Sequence, residues 1–202
     1  MSYSDTYDVN GWFYKQGRDT FRKQLDIKLK GAKKKQPDLM VIMMNPGSSE
    51  QKPDFDNDFD ALVPTVHDPT QTHIMNLMEH WGMEYARILN LSDYCDQLSE
   101  NFYEYLKDGA KTFQRHTIFH TSRAAELNKL FILNVPVLVA WGTDDCLKSL
   151  GASALTFLAD HQNIVGLRHP KKQFGYYHPR RRVSRFHHDT WRDEMKRRYN
   201  SL

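Results

Sequence analysis

Asn45, Asn90 and His169 are the residues whose types and settings in this chain can do chemistry. Each follows an apolar run. Asp38-Leu-Met-Val-Ile-Met-Met44 runs into Asn45-Pro46-Gly47-Ser48, Tyr85-Ala-Arg-Ile-Leu89 into Asn90, and Asn163-Ile-Val-Gly-Leu-Arg168 into His169-Pro170. A side-chain amide carries a donor and an acceptor side by side, so it can pair with the imide edge of a pyrimidine. An imidazole can donate to a carbonyl on which negative charge develops. Taken singly, each is an ordinary end of a strand. Taken together, they become a candidate site if one sheet brings the ends to a common rim.

The elements that must position them alternate between strand and helix. Residues 38–44 read as a strand buried on both faces. The long loop 45–67 follows, of a length that is uncommon without a functional role. Asp68-Pro69 opens a helix, with Asp as cap and Pro at the first helical position; Ile74, Leu77, Met78 and Trp81 share one face, and Gly82 ends it. Residues 85–91 form the next strand. A short helix over 98–107 is broken by Gly109, and a helix capped by Thr121 or Ser122 runs to about Leu133. The strand 134–142 ends at Trp141-Gly142, Thr143 caps a helix over 144–158, and 163–168 is a further strand. A helix over 188–199 ends the pattern. Such alternation predicts an α/β fold with a parallel sheet covered on both faces, the strand ends along one edge. Phe21-Arg-Lys-Gln-Leu-Asp-Ile-Lys-Leu29 alternates and reads as a half-exposed strand; residues 1–14 are irregular or a short strand.

With 202 residues the chain is read as one domain. In this reading, 1–37 is an N-terminal extension with an edge strand, 38–180 the core, and 181–202 a basic C-terminal helix. No apolar run has membrane-spanning length and the start has no signal pattern. Cys95 and Cys146 form no close pair and suit a reducing compartment, so the expected location is cytoplasmic, both thiols buried. The net charge of +3 hides an asymmetry: residues 15–35 hold nine Lys/Arg against two Asp, and residues 168–202 hold eleven against three acids. The first run reads as a solvated charged face. The second is interleaved with Phe174, Tyr176, Tyr177, Phe186 and Trp191, which suits a phosphate backbone and exposed bases.

Other chemistries fit less well. Glu50, Asp54, Asp56, Asp58 and Asp60 lack the Gly and terminal Glu of a calcium loop. His116, His120 and His187-His188-Asp189 lack the flanking Glu of a hydrolytic zinc motif. No metal or cofactor is expected. Trp81 and Trp141 are read as core residues, and Phe55 and Phe59 as able to stack on a base.

With these motifs in view, the chain resembles the uracil-DNA glycosylase superfamily. Met44-Asn45-Pro46-Gly47 looks like the first catalytic motif of its mismatch-specific branch, and Ile88-Leu89-Asn90 like the segment whose Asn reads the base. Val137-Leu-Val-Ala-Trp141-Gly142 resembles the strand before the second motif, and His169-Pro170-Lys-Lys-Gln-Phe174-Gly-Tyr-Tyr-His178 the His-Pro motif and its loop. The pattern, including Asp68-Pro69-Thr70, is closer still to a family of small bacterial proteins of unknown function. The resemblance implies a three-layer α/β/α fold with a central, mainly parallel four- to five-stranded sheet. It implies a DNA glycosylase that hydrolyses the N-glycosidic bond of a flipped-out pyrimidine, leaving an abasic site, in repair or antiviral defence. Carried over, Asn45 positions water and His169 stabilises the departing base. Asn90 binds the base, lined by Pro46, Gly47, Phe55 and Phe59. Ser48, Lys171, Lys172, Gln173, Arg180, Arg181 and Arg182 contact DNA, and the chain acts as a monomer.

Lys171 replaces the Ser that usually follows the His-Pro pair, and Lys172 and Gln173 stand where the family inserts an apolar wedge. The cysteine count excludes the iron–sulfur branch. Gly47 replaces a bulky aromatic that rejects C5 substituents, so a C5-modified base, such as a hypermodified cytosine of phage DNA, is expected to fit. The alternatives are a non-catalytic nucleic-acid-binding protein on the same scaffold and a nucleoside or nucleotide N-glycosidase.

Overall fold

A computed structural model describes residues 3–55, 59, 61–180 and 188–199. The elements, in order, are α1 (Tyr3–Thr6), β1 (Tyr7–Gln16), β2 (Asp19–Leu29), β3 (Leu39–Met43), β4 (Leu62–Pro64), α2 (Pro69–Trp81), β5 (Tyr85–Asn90), α3 (Ser99–Lys107), α4 (Gly109–Thr112), α5 (Ala124–Leu130), β6 (Val137–Val139), α6 (Lys148–Phe157), β7 (Ile164–Val165) and α7 (His188–Tyr199).

One seven-stranded sheet in the order β4-β1-β2-β5-β3-β6-β7 organises the chain. β5, β3, β6 and β7 run parallel to one another, while β2 joins β5, β1 joins β2, and β4 joins β1 antiparallel. Every residue of β3 is buried because both faces are covered. Leu39, Val41 and Met43 pack into a layer with Ile74, Leu77 and Met78 of α2 and Trp191 and Met195 of α7. Met40 and Ile42 pack oppositely with Phe102 of α3, Leu127 of α5 and Ala154 of α6. Among the described residues, no helix is long and apolar enough to cross a membrane.

The caps of α2 are local chemistry. Asp68 accepts from the Thr70 N–H at 2.5 Å, and Gln71 Oε1 accepts from the Asp68 N–H at 3.2 Å, a reciprocal box. Gly82 ends the helix in the left-handed region at φ 67°.

Several expectations change. The sheet is mixed rather than mainly parallel, because the N-terminal segment supplies long antiparallel strands and the loop after β3 supplies β4. Gly11 interrupts the aromatic alternation of β1, so its length is not obvious from sequence. A Cβ there would meet Phe13 Cε2 at 2.5 Å and Thr65 Oγ1 at 2.9 Å, so only Gly fits. β2 is not half-exposed: it lies between β1 and β5, and Arg22, Gln24 and Asp26 are buried. The outermost strand on that side is β4.

Single-turn 3-10 helices over Thr121–Arg123 and Asp145–Leu147 precede α5 and α6, capped by His120 and Asp144, so both α-helices are shorter than expected. α3 ends at Lys107 as expected, and Gly109 begins a separate further turn of helix. Cys146 is exposed. Trp191 and Tyr177 are core rather than base-stacking residues, with the Trp191 indole N–H donating to the Tyr177 carbonyl at 2.8 Å. Asp56, Asp58, Asp60, Arg181, Arg182 and Phe186 lie outside the described residues.

Candidate active site

β3 and β5 are parallel neighbours, so their carboxyl ends deliver Asn45 and Asn90 to one place. Gly47, at φ 65°, lets the chain double back there. Ser48 then donates to Asp68 Oδ2 at 2.8 Å, and Gln71 donates to Ser49 Oγ at 2.9 Å. The loop after β3 is thereby fastened to the N-terminus of α2. Between them lies a cavity of about 240 Å³.

Asn90 lies in its wall, 1% exposed, and neither its Nδ2 nor its Oδ1 has a partner among the described residues. The Asn45 amide nitrogen donates to the Asp96 carbonyl at 2.9 Å and more weakly to the Tyr94 carbonyl at 3.4 Å. That pins the side chain and leaves Oδ1 as its acceptor. Burial tends to raise the Asp68 carboxyl, but hydrogen bonds from Ser48 and Thr70 outweigh it and hold the group below the usual carboxylate range. It stays a carboxylate at neutral pH.

The imidazole of this cavity is His178. The chain passes β7, turns at residues 170–175, and is drawn back across the sheet rim. Tyr176 bridges both Gly142 and Arg168, and Tyr177 N–H donates to the Leu167 carbonyl at 2.8 Å. Burial pushes the His178 ring down to about 4, so it is neutral at pH 7. Its Nδ1 accepts from the Arg180 N–H at 3.1 Å, which leaves its proton on Nε2 as a donor.

Arg22 also lines the cavity, only 3% exposed, although it belongs to the antiparallel part of the sheet. Trp12 pairs with Gln24 while Phe13 pairs with Arg22, so Lys23 is the extra residue of a β-bulge. One extra residue inverts the alternation beyond it. Leu25 faces the α2 layer, and Arg22 turns to the same side and shares the cavity with it. Phe21 turns the other way, onto the rings of Tyr94, Tyr105 and Phe113.

Of the residues singled out from the sequence, Asn45, Pro46, Gly47, Ser48, Asn90 and Arg180 line this cavity together. His169 does not. It follows β7, three strands from β5 in the sheet order, a lateral offset of roughly 14 Å at about 4.8 Å per strand. Its Nδ1 accepts from the Lys171 N–H at 3.1 Å. Lys171 and Gln173 are exposed on that distant loop. Lys172 lines a second cavity of about 590 Å³ and holds the Thr143 carbonyl at 3.0 Å and Asp145 at 2.9 Å. Met44, Ser99, His178 and Arg180 border both cavities.

Phe55 sits in a 3-10 turn away from both, and Phe59 lines a separate cleft with the Lys15 ammonium 5.0 Å from its ring centre. Arg181 and Arg182 lie outside the described residues. His116 and His120 are tied to the hydroxyls of Ser92 and Ser122, both at 2.8 Å. Among the described residues, no group of three or more His, Cys, Asp or Glu is arranged to hold a metal ion.

Sequence reasoning missed Arg22, Asp68 and His178 as site residues. Asp68 was visible only as a cap. Arg22 left one trace: Lys23 stands where the apolar series Phe21, Leu25, Ile27, Leu29 expects an apolar residue.

Residues 24–180 match the model of a family described as Protein of unknown function (DUF1643). No curated protein and no solved structure matches the chain.

Proposed function

This chain belongs to the DUF1643 family, and for it we propose a DNA glycosylase activity that hydrolyses the bond between a flipped-out pyrimidine and its sugar. The observation that carries the reading is the Asn90 amide, buried in the cavity wall with both polar atoms unpartnered among the described residues. Leaving such a group unsatisfied costs about 1–3 kcal/mol. A pyrimidine edge, with a ring N–H beside a carbonyl, satisfies both atoms at once. The cavity of about 240 Å³ is below the roughly 300–1,000 Å³ of drug-sized sites and suits one ring with a water. A base inside a duplex reaches such a cavity only by leaving the stack.

The chemistry follows from the groups around the ring. The C1′–N1 bond breaks and its electron pair stays with the base. The sugar passes through a cation-like state. The Nε2–H of neutral His178 donates to a base carbonyl as charge develops there, the role that the sequence reading gave to His169. Asn45 Oδ1 and the Asp68 carboxylate hold the attacking water. The water oxygen bonds to C1′, and its proton passes to Asp68 and then, through solvent, to the base anion. Arg180, exposed at the mouth, meets the DNA backbone. At Gly47 an added Cβ would touch only Asp68 Oδ2, at 3.4 Å, so this wall has room for a C5 substituent.

The test is a panel of single- and double-stranded oligonucleotides carrying uracil or 5-substituted pyrimidines, together with phage DNAs of differing modification. Alkali-labile abasic sites and released bases are scored. Release from at least one substrate, abolished in Asn45→Ala while DNA binding persists, is expected. Salt-sensitive binding without any release sinks the enzyme and leaves a binding protein. Release of plain uracil alone counts against a modified base.

A further inference from the structure

Arg22 is a buried cation with no salt bridge among the described residues. Its Nε and Nη1 are fully buried and make no hydrogen bond to any described residue. Burial alone pulls its ionisation down. The charges of Asp68 and Asp93 partly offset this, but neither carboxylate hydrogen-bonds Arg22: Asp68 takes Ser48 and Thr70, and Asp93 takes Arg123 and Tyr14. An unpaired buried ion carries a penalty that a fold alone has no reason to retain. The bulge at Lys23 nevertheless aims this side chain into the cavity, beside Asn90.

Resting on the cavity reading above, we infer that Arg22 is a second anion-holding residue of this site, beside His178: its guanidinium takes a carbonyl oxygen of the bound pyrimidine and stabilises the negative charge left on the base when the sugar bond breaks. A phosphodiester could neutralise Arg22, but it offers only acceptors and would leave Asn90 Oδ1 without a donor. A ring that presents both N–H and C=O satisfies Asn90 and Arg22 together. The same bond serves before and after cleavage, and it strengthens as charge accumulates on the oxygen, which is the condition for lowering the barrier.

Free uracil, 5-hydroxymethyluracil, cytosine and inorganic phosphate are titrated into protein labelled with ¹⁵N-arginine, the Arg22 Nε signal being assigned by its loss in Arg22→Met. A free pyrimidine should move that signal. Its dissociation constant should rise at least about tenfold in Arg22→Met, the order of one charge-assisted hydrogen bond, and less in Arg22→Lys. Arg22→Met should also melt several degrees higher, since an unpaired buried charge is replaced by a side chain of similar volume. Base release, once a substrate is known, should fall by about a hundredfold or more.

The inference is overturned if no pyrimidine moves the signal, if phosphate alone does, or if Arg22→Met binds base unchanged. The two readings fail separately. Arg22-dependent base binding without release from any DNA keeps this inference and removes the glycosylase. Release at an undiminished rate by Arg22→Met does the reverse.

Discussion

Arg123 and Arg22 are buried alike, 4% and 3% exposed, but among the described residues only Arg123 has its guanidinium hydrogen-bonded. Arg123 meets Asp93 at 2.6 Å, Glu126 at 2.7 Å and the Arg115 carbonyl at 2.9 Å. Arg87 is treated similarly: Asp26 accepts its Nε at 2.8 Å, and the Leu130 carbonyl accepts its Nη1 at 3.1 Å. These two serve the fold, joining strands to the α5 side of the sheet. Arg22, on the opposite side, faces a cavity together with an amide in the same unsatisfied condition. The difference separates two uses of buried polarity. Where the chain supplies both partners, the group holds structure. Where it supplies one, the proposed base would supply the other.

The comparison can be broken most directly by removing each cation. Arg123→Met strands Asp93, which burial already pushes up to about 6 against the pull of Arg123. A loss of about 3–5 kcal/mol in urea unfolding is expected, against no loss or a gain for Arg22→Met. Equal losses would erase the distinction.

Next in size, His178→Ala should lower base release by about a hundredfold to a thousandfold, or about 2.7–4 kcal/mol, with little change in melting. His169→Ala should stay within about threefold in the same abasic-site assay, because it does not line the cavity. Reversed results would return the imidazole role to His169.

Protonation distinguishes the regions in a third way. His116 and His178 are both pushed down to about 4, first of all by burial. An unfolded histidine takes up its proton near pH 6.5. The unfolded state therefore gains protons first, and stability should fall as pH drops from about 6.5 to about 4, then level off. About 1–2 kcal/mol per ring is expected after allowance for solvent around His178. Chemical denaturation across this window should show His116→Gln and His178→Gln each removing part of the slope. Only His178→Gln should also change the pH profile of base release.

The smallest effect concerns two glycines of left-handed backbone, Gly47 at φ 65° and Gly82 at φ 67°. Replacing either by Ala should cost about 1 kcal/mol. Only Gly47→Ala should alter base release as well, since its Cβ would approach Asp68 Oδ2.

Much of the frame was legible in local sequence. β3 was visible as an unbroken apolar run that stops at Asn45-Pro46, and α2 as a capped amphipathic helix from Asp68-Pro69 to Gly82. Asn45 and Asn90 were legible as a pair because parallel neighbours must end on the same rim. β1 and β4 were not, since Gly11 masks the alternation in one and three residues carry little pattern in the other. The second basic run misled in part, because its aromatics Tyr177 and Trp191 are buried in the α2–α7 layer.

Sequence by itself determined the elements whose cause lies within a few residues: buried strands, caps, and the amides that close β3 and β5. Tertiary structure alone decided which imidazole and which cation reach those amides. Strand order sets His169 two strands from β3 and three from β5 while the returning loop brings His178 in, and one bulged residue swings Arg22 to the cavity side. Both depend on pairings between segments distant along the chain, where a shift of a single residue exchanges the faces of a strand.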